Sequence, residues 1–251
     1  MNPAATLTAR PWLRSFGRPA HARVRLICFP HAGGTANFYR PWRNLFAADV
    51  ELQIVQYPGR EDRMREPFET DAGRIAATVA DEIAAATPVA TLLFGHSMGA
   101  ILAYETALKL QDGGSSTPAA LILSSSVAPQ IPRHMRRLLE MDSTDLRTEV
   151  HGWGGMPNAV LEHDDLWNFI EPRFRADLTA MDNYRPVPDA RLQSPLHVVY
   201  SRSDRLVDPA GMANWRRHTQ ASFSLHELPG DHISILEAIP SVIEAIARPI
   251  A

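Results

Sequence analysis

At the position that decides its fold, the sequence reads Thr91-Leu92-Leu93-Phe94-Gly95-His96-Ser97-Met98-Gly99-Ala100-Ile101-Leu102-Ala103-Tyr104. An apolar run of strand length ends at Gly95, and a run with helical spacing begins at Ala100. Between them, the Gly-x-Ser-x-Gly pattern is typical of a sharp, strained strand-to-helix turn that exposes a serine hydroxyl. The pattern therefore predicts Ser97 as a nucleophile, with a plain N-capping serine as the alternative.

Outward from this turn, short apolar runs alternate with helical stretches. This alternation predicts an α/β fold, in which a mostly parallel sheet is flanked by helices. The predicted strands are Val24–Phe29, Leu52–Gln56, Thr91–Phe94, Ala120–Ser124, Leu196–Tyr200 and Phe223–Glu227. Helices are predicted over Asp71–Ala86 and Ala100–Leu110. A length of 251 residues suits a single domain spanning residues 1–251.

One segment, residues 131–184, interrupts the alternation because its periodicity is helical and it contains no buried strand. We expect a helical insertion within the domain. Its many large apolar side chains have two interpretations: a lid over the active site, or packing of the insertion's own core.

Composition excludes several classes of function. The net charge of −3 gives no basic surface for nucleic acid, and no apolar stretch approaches the 18 residues of a membrane span. We expect a cytoplasmic protein that binds neither nucleic acid nor membrane. The lone Cys28 lies in an apolar run and is predicted to be a buried structural residue.

A serine nucleophile needs a base, and in the α/β-hydrolase fold the chain order is serine, acid, histidine. The histidines late in the chain are His197, His218, His226 and His232. His197 and His226 lie inside predicted strands, and His218 lies near the end of a helical run. His232 follows the last predicted strand in a turn, so it is the predicted base.

The acid is expected on a loop that follows a strand. The loop after Ala120–Ser124 has no carboxylate, whereas the loop after Leu196–Tyr200 carries Asp204 and Asp208. Asp204 is closer to the strand end and is the predicted acid; Asp208 is the alternative, or it caps a helix that begins at Pro209. Asp231, beside the base, is expected to shape the turn.

Acyl transfer also needs N–H donors for the developing oxyanion. One predicted donor is the backbone N–H of Met98, after the nucleophile. The other is the N–H of Ala32, in a loop where Gly33-Gly34 lets the backbone approach a substrate; a generic Gly-Gly turn is the alternative. This chemistry needs no cofactor, and the sequence shows neither a metal-ligand cluster nor a dinucleotide fingerprint.

Five segments together resemble the type II thioesterases, the discrete editing enzymes of polyketide synthases and nonribosomal peptide synthetases. They are Phe29-Pro30-His31-Ala32-Gly33-Gly34, Tyr57-Pro58-Gly59-Arg60-Glu61, Phe94-Gly95-His96-Ser97-Met98-Gly99-Ala100, Ser203-Asp204 and Gly230-Asp231-His232. They occur in the family's order over nearly the whole chain. The sequence departs from the family at Asp231 and in Ser201-Arg202-Ser203, where glycine is more frequent.

The resemblance implies an acyl thioester on the phosphopantetheine arm of an acyl carrier protein or peptidyl carrier protein as the substrate. It implies a helical lid, and it implies that Pro58–Glu61 is a structural loop near the site, with a plain surface turn as the alternative. For Arg133, Arg136 and Arg137 we expect a solvated face, with contact to an acidic carrier-protein surface as the alternative. The alternatives are a carboxylesterase on small esters, an acyltransferase, and a non-catalytic relative that binds carrier protein.

Overall fold

The computed structural model describes residues 11–16, 19, 21–115, 117–133, 135–153 and 158–250. Its seven strands are β1 (Leu13–Ser15), β2 (Val24–Phe29), β3 (Val50–Val55), β4 (Ala90–His96), β5 (Ala120–Ser124), β6 (Leu196–Tyr200) and β7 (Phe223–Glu227). Four of the six predicted strands have the predicted boundaries. The other two differ by one or two residues at their ends.

These strands form one mixed sheet in the order β1-β3-β2-β4-β5-β6-β7. Only β1 is antiparallel to its neighbour in the described sheet; the remaining pairs are parallel. Phe29 pairs with Gly95, and His96 pairs with Ser124, so the carboxyl ends of the central strands lie side by side. The loops that follow β2, β4, β5 and β6 therefore meet at one edge of the sheet.

The described α-helices are α1 (Ala36–Tyr39), α2 (Ala72–Ala85), α3 (Met98–Asp112), α4 (Met135–Glu140), α5 (Ser143–Gly152), α6 (Asn158–Glu162), α7 (Asp164–Asn183), α8 (Pro209–Ala213) and α9 (Ile239–Ala247). Helix α2 begins after Asp71 because the Asp71 carboxylate accepts hydrogen bonds from the N–H groups of Gly73 and Arg74. None of the described helices has both the length and the apolar character needed to cross a bilayer.

Both faces of the sheet are covered, as the continuous apolar strands predict. Along β2, Ile27 and Phe29 contribute to the core shared with α2 and α3. Leu26 and Cys28 point to the opposite face and join the core shared with α1 and α9. Cys28 is buried there with a free thiol, as expected for a structural residue.

Strand β1 has no counterpart among the predicted strands. It is three residues long and pairs only at the sheet edge, opposite Gln53–Val55. A run this short has no measurable alternation of apolar and polar side chains, so sequence pattern cannot identify it.

The predicted insertion corresponds to helices α4–α7, which lie between β5 and β6. Its apolar side chains form a separate cluster whose buried members are Leu138, Leu146, Val150, Leu161, Trp167, Phe174 and Leu178. The insertion therefore has a core of its own. Residues 154–157 and His134 within it lie outside the described residues.

The turn between β4 and α3 is closed by direct contact of backbone with backbone. A Cβ atom placed on Gly95 would lie 2.1 Å from the carbonyl oxygen of Gly99. A Cβ atom on Gly99 would lie 2.0 Å from the carbonyl oxygen of Phe29, at the end of β2. Backbone cannot retract as a flexible side chain can, so both glycines are required sterically.

We therefore expect Gly99→Ala to lower the free energy of unfolding by about 3 kcal/mol or more, measured by urea denaturation. Gly152→Ala is the matched control, because a Cβ atom there meets nothing within 4 Å. The control should stay within about 1 kcal/mol of the parent chain. Equal stability of the two variants would contradict the steric argument.

Candidate active site

Ser97 occupies the turn between β4 and α3 in a strained backbone conformation, with φ 55° and ψ −118°. Such a conformation in a residue other than glycine costs about 1–3 kcal/mol and persists only where the surroundings enforce it. The Ser97 N–H donates to the carbonyl oxygen of Ser124 at 2.8 Å, which ties the turn to the end of β5. The side chain has no capping hydrogen bond, which argues against the N-cap alternative.

His232 and Asp204 lie together in the structure although 28 residues separate them. The Nδ1 atom of His232 is 2.8 Å from Oδ2 of Asp204, and both side chains are buried. The other oxygen, Oδ1, accepts the N–H of Leu206 at 2.9 Å. This carboxylate is therefore held in a fixed orientation against one imidazole nitrogen.

Ser97 and His232 both line one cavity. Within the described part of the chain, the Ser97 hydroxyl makes no hydrogen bond to the His232 ring. Catalytic hydrogen bonds are often long without substrate and shorten when substrate binds. The structure therefore brings Ser97 and the histidine–carboxylate pair to one cavity.

The competing residues occupy other environments. Asp208 is exposed at the N-cap position of α8, before Pro209, and its side chain makes no capping hydrogen bond. The Asp231 carboxylate accepts the N–H groups of Ile233 and Ser234, so it shapes the turn that carries His232. His197 and His226 face each other on β6 and β7, bridged by the hydroxyl of Ser224.

The two predicted oxyanion donors also lie at this cavity. Met98 is the first residue of α3, where backbone N–H groups have no partner within the helix. Ala32 lies in the loop after β2, and its N–H has no hydrogen-bond partner among the described residues. Both residues line the cavity together with Ser97.

A buried ion pair holds the loop that contains Ala32. Arg60 and Asp177 form two hydrogen bonds of 2.8 and 3.0 Å, with both side chains nearly inaccessible to solvent. The same carboxylate accepts the N–H of Gly33 at 2.7 Å, and the same guanidinium donates to the carbonyl oxygen of Gly34 at 3.0 Å. The segment with Arg60 is thus a structural loop beside the site, as the resemblance implies.

The cavity has a volume of about 350 Å³ and mostly apolar walls. The walls from the insertion are Met135, Leu138, Val150, Trp153, Val160, Ile170, Phe174, Leu178 and Met181. Several of these side chains also belong to the insertion's own cluster. The insertion's apolar residues therefore pack against each other and also form one side of the cavity.

Two further histidines surround the catalytic candidates. The rings of His96 and His232 lie 5.0 Å apart, and those of His31 and His96 lie 5.8 Å apart. Burial lowers the pKa of His31 to about 3, and burial holds the pKa of His96 well below its ordinary value. Both rings are therefore neutral beside His232 at pH 7.

The prediction of a solvated face was wrong for Arg133. Its guanidinium donates to the carbonyl oxygens of Val127 and Pro129 and lines the cavity. Arg136 and Arg137 do lie on the surface, paired with Asp182 and Glu149. Arg133 turns inward because nearby loop carbonyls accept its hydrogen bonds. The sequence of residues 133–137 does not show that these carbonyls lie within reach.

Residues 24–250 match the Thioesterase domain family. The chain belongs to this family. Among curated relatives, the "Probable cadicidin biosynthesis thioesterase" of Streptomyces griseus is 36% identical over 96% of this chain, which spans 66% of that protein.

Solved structures support the same family. The type II thioesterase BorB from the borrelidin biosynthetic cluster superposes with a TM-score of 0.85 and 33% identity, covering 96% of this chain and 100% of BorB. YbtT, a type II thioesterase from the yersiniabactin NRPS/PKS pathway, superposes with a TM-score of 0.83 and 27% identity. The match covers 94% of this chain and 97% of YbtT. This thioesterase is a hydrolase with the α/β-hydrolase fold, which confirms the predicted fold class and enzyme class.

Two residues near the thioesterase cavity were missed by sequence reasoning: Arg173, which lines it, and Asp177, which holds the adjacent loop. Both come from α7, more than 140 positions after Ala32. The available signal was Arg60, because a buried guanidinium demands a carboxylate partner. The sequence offers many carboxylates, so it does not say which one pairs with Arg60.

No group of three or more metal-binding side chains occurs among the residues described.

Removing Asp177 should destabilise this thioesterase, because Arg60 would keep a buried charge without a partner. We expect Asp177→Ala to lower the free energy of unfolding by about 3–5 kcal/mol, measured by urea denaturation. Glu149→Ala, which removes an exposed ion pair of the same insertion, should cost less than about 1 kcal/mol. The double variant Arg60→Met/Asp177→Leu should be less destabilised than Asp177→Ala, because it leaves no buried charge unpaired. If Asp177→Ala lost no more free energy of unfolding than Glu149→Ala, this account would be refuted.

Proposed function

We propose that this thioesterase hydrolyses acyl thioesters on the phosphopantetheine arm of acyl or peptidyl carrier proteins. Its role is to remove aberrant or stalled acyl groups from polyketide and nonribosomal peptide synthases in the cytoplasm. Ser97 is the proposed nucleophile, His232 the base and Asp204 the residue that orients it. The observation that carries this proposal is the buried 2.8 Å contact between His232 and Asp204 at the cavity that Ser97 lines.

Acylation begins when Nε2 of His232 accepts the proton of the Ser97 hydroxyl as Oγ attacks the thioester carbonyl carbon. The carbonyl oxygen becomes an oxyanion, and the N–H groups of Met98 and Ala32 donate to it. Donors of this kind contribute about 3–4 kcal/mol each to transition-state stabilisation. Asp204 accepts from Nδ1 and stabilises the imidazolium that forms.

The tetrahedral intermediate collapses by breaking the carbon–sulfur bond. The pantetheine thiolate takes the proton from His232 and leaves, and the acyl group stays on Ser97 as an ester. A thiol with a pKa of about 8.5 is a far better leaving group than an amine. Water then attacks the ester, with His232 as base, which releases the carboxylic acid and restores Ser97.

The apolar walls support an acyl group as the occupant of the cavity. A volume of about 350 Å³ lies within the range of small-ligand sites, and burying an alkyl chain in it stabilises by about 0.8 kcal/mol per methylene. We propose that helices α4–α7 act as a lid, because they supply one side of this wall. Closure over the acyl group excludes water from the thioester until acylation has occurred.

The direct test uses carrier proteins loaded with acetyl, propionyl, longer or full-length acyl groups. We expect the thioesterase to remove short groups rapidly, detected by mass spectrometry of the carrier. Ser97→Ala should lower kcat by about 10⁴-fold or more. Ser203→Ala, an exposed serine beside Asp204, should stay within about twofold of the parent rate. Removal of full-length chains alone would contradict an editing role.

Three further measurements distinguish the proposal from its alternatives. A carboxylesterase would show higher kcat/KM for an oxygen ester than for the thioester of the same acyl group. A non-catalytic relative would not react with a fluorophosphonate probe, whereas the proposal requires labelling that Ser97→Ala abolishes. An acyltransferase would pass the acyl group to an added alcohol in preference to water.

The choice of acid is tested by paired variants. Asp204→Asn should lower kcat by about 10⁴-fold, because an amide in place of the carboxylate favours the wrong imidazole tautomer. Asp208→Asn changes an exposed carboxylate four residues away and should leave kcat nearly unchanged. Steady-state kinetics on one carrier thioester measures both. A larger loss with Asp208→Asn would reassign the acid.

A further inference from the structure

Arg173 is a cationic side chain of the cavity wall. It lies on α7 and lines the cavity with Ser97 and His232. Within the described residues it forms no hydrogen bond and no ion pair, and its Nε atom is buried without a partner. Its recorded contact is with the ring of Phe169, whose centroid is 5.8 Å from Cζ.

The carboxylate one helical turn further along, Asp177, forms no hydrogen bond with Arg173. Both Asp177 oxygens accept from Arg60, and one also accepts the N–H of Gly33. Burial, followed by the positive charge of Arg60, lowers the pKa of Arg173, and the negative charges of Asp177 and Glu61 offset only part of this effect. The neighbouring Arg175 shows the contrast, since it pairs with Glu171 and donates to two backbone carbonyls.

A half-buried guanidinium that makes no hydrogen bond is costly, because burial removes part of its hydration and a contact with one aromatic ring replaces little of it. Phe169, whose ring contacts Arg173, is 61% exposed. Arg133, the other guanidinium of the wall, already donates to loop carbonyls. Of the two described guanidiniums of the wall, Arg173 is therefore the one whose donors make no hydrogen bond to the described residues, and they can bind a group that enters the cavity.

We propose that Arg173 binds an anionic oxygen group of the thioester substrate and so sets substrate selectivity. This inference rests on the proposed function, since it concerns a ligand of the same cavity. A guanidinium presents paired N–H donors that match phosphate and carboxylate oxygens. Two parts of a carrier-bound substrate offer such oxygens: the phosphate of the pantetheine arm, and the free carboxylate of a dicarboxylic acyl group such as malonyl.

The kinetic test compares three thioesters. Acetyl-N-acetylcysteamine carries no anion, acetyl-phosphopantetheine carries a phosphate, and malonyl-N-acetylcysteamine carries a carboxylate. We expect Arg173→Gln to lower kcat/KM about 10- to 100-fold for one anionic substrate and to leave the uncharged one nearly unchanged. Arg173→Lys should recover part of the loss. Arg136→Gln, which changes an exposed arginine of the same insertion, is the matched control.

The substrate that is affected identifies the source of the anion. A loss confined to the phosphate ester assigns Arg173 to the arm, and a loss confined to the malonyl ester assigns it to the acyl group. Equal losses on all three substrates would overturn the proposal in favour of a structural role. Unchanged kcat/KM on both anionic substrates would overturn it as well.

A binding measurement separates failure of this proposal from failure of the proposed function. Calorimetry on the Ser97→Ala chain compares pantetheine with phosphopantetheine, and acetyl- with malonyl-N-acetylcysteamine. We expect one anionic ligand to bind about tenfold or more tightly than its neutral counterpart, and Arg173→Gln in the same background to remove the difference. If neither anionic ligand binds more tightly than its neutral counterpart, the proposed anion site is refuted, even if the parent chain hydrolyses the thioesters.

Discussion

The close approach of α3 to the end of β2 is the constraint on which the site depends. The carbonyl oxygen of Phe29 occupies the space that a side chain at position 99 would need. This contact sets the distance between the turn that holds Ser97 and the loop that follows Phe29. Because Ala32 lies in that loop and Met98 in that turn, one backbone contact fixes the spacing of both proposed oxyanion donors. Strain at Ser97 is tolerated because the same sheet edge ties its N–H to Ser124.

The ion pair between Arg60 and Asp177 extends this arrangement to the insertion. The Asp177 carboxylate belongs to α7, yet it accepts the N–H of Gly33, next to Ala32. Movement of α7 away from the sheet would break that hydrogen bond and leave Arg60 unpaired in a buried place. If the insertion acts as the proposed lid, it cannot open fully without disturbing the loop that holds the proposed oxyanion donor Ala32. The hydrogen bonds that hold α7 in place therefore also order that loop.

The sequence predicted what is local or follows from chain order. Strand boundaries, the turn at Ser97, and the pairing of His232 with a carboxylate after β6 all depend on short patterns and on parallel topology. Contacts across long separations were not predictable in this way. Asp177 meets Gly33 only because the insertion folds back over the sheet, and Arg133 turns inward because carbonyls at 127–129 are available. Neither contact produces a periodic pattern in the sequence, because the sequence alone does not distinguish one acidic or basic helical residue from another.

The neutral histidines beside His232 explain why one imidazole can serve as base. Three rings lie in sequence, His31 to His96 to His232, with centroids 5.8 and 5.0 Å apart. Burial disfavours the charged form of His31 and His96, whereas His232 alone has a carboxylate at hydrogen-bond distance. In the proposed mechanism, a proton removed from Ser97 therefore goes to His232. The two neutral rings beside it add no competing positive charge, so the Asp204 carboxylate stabilises the His232 imidazolium alone.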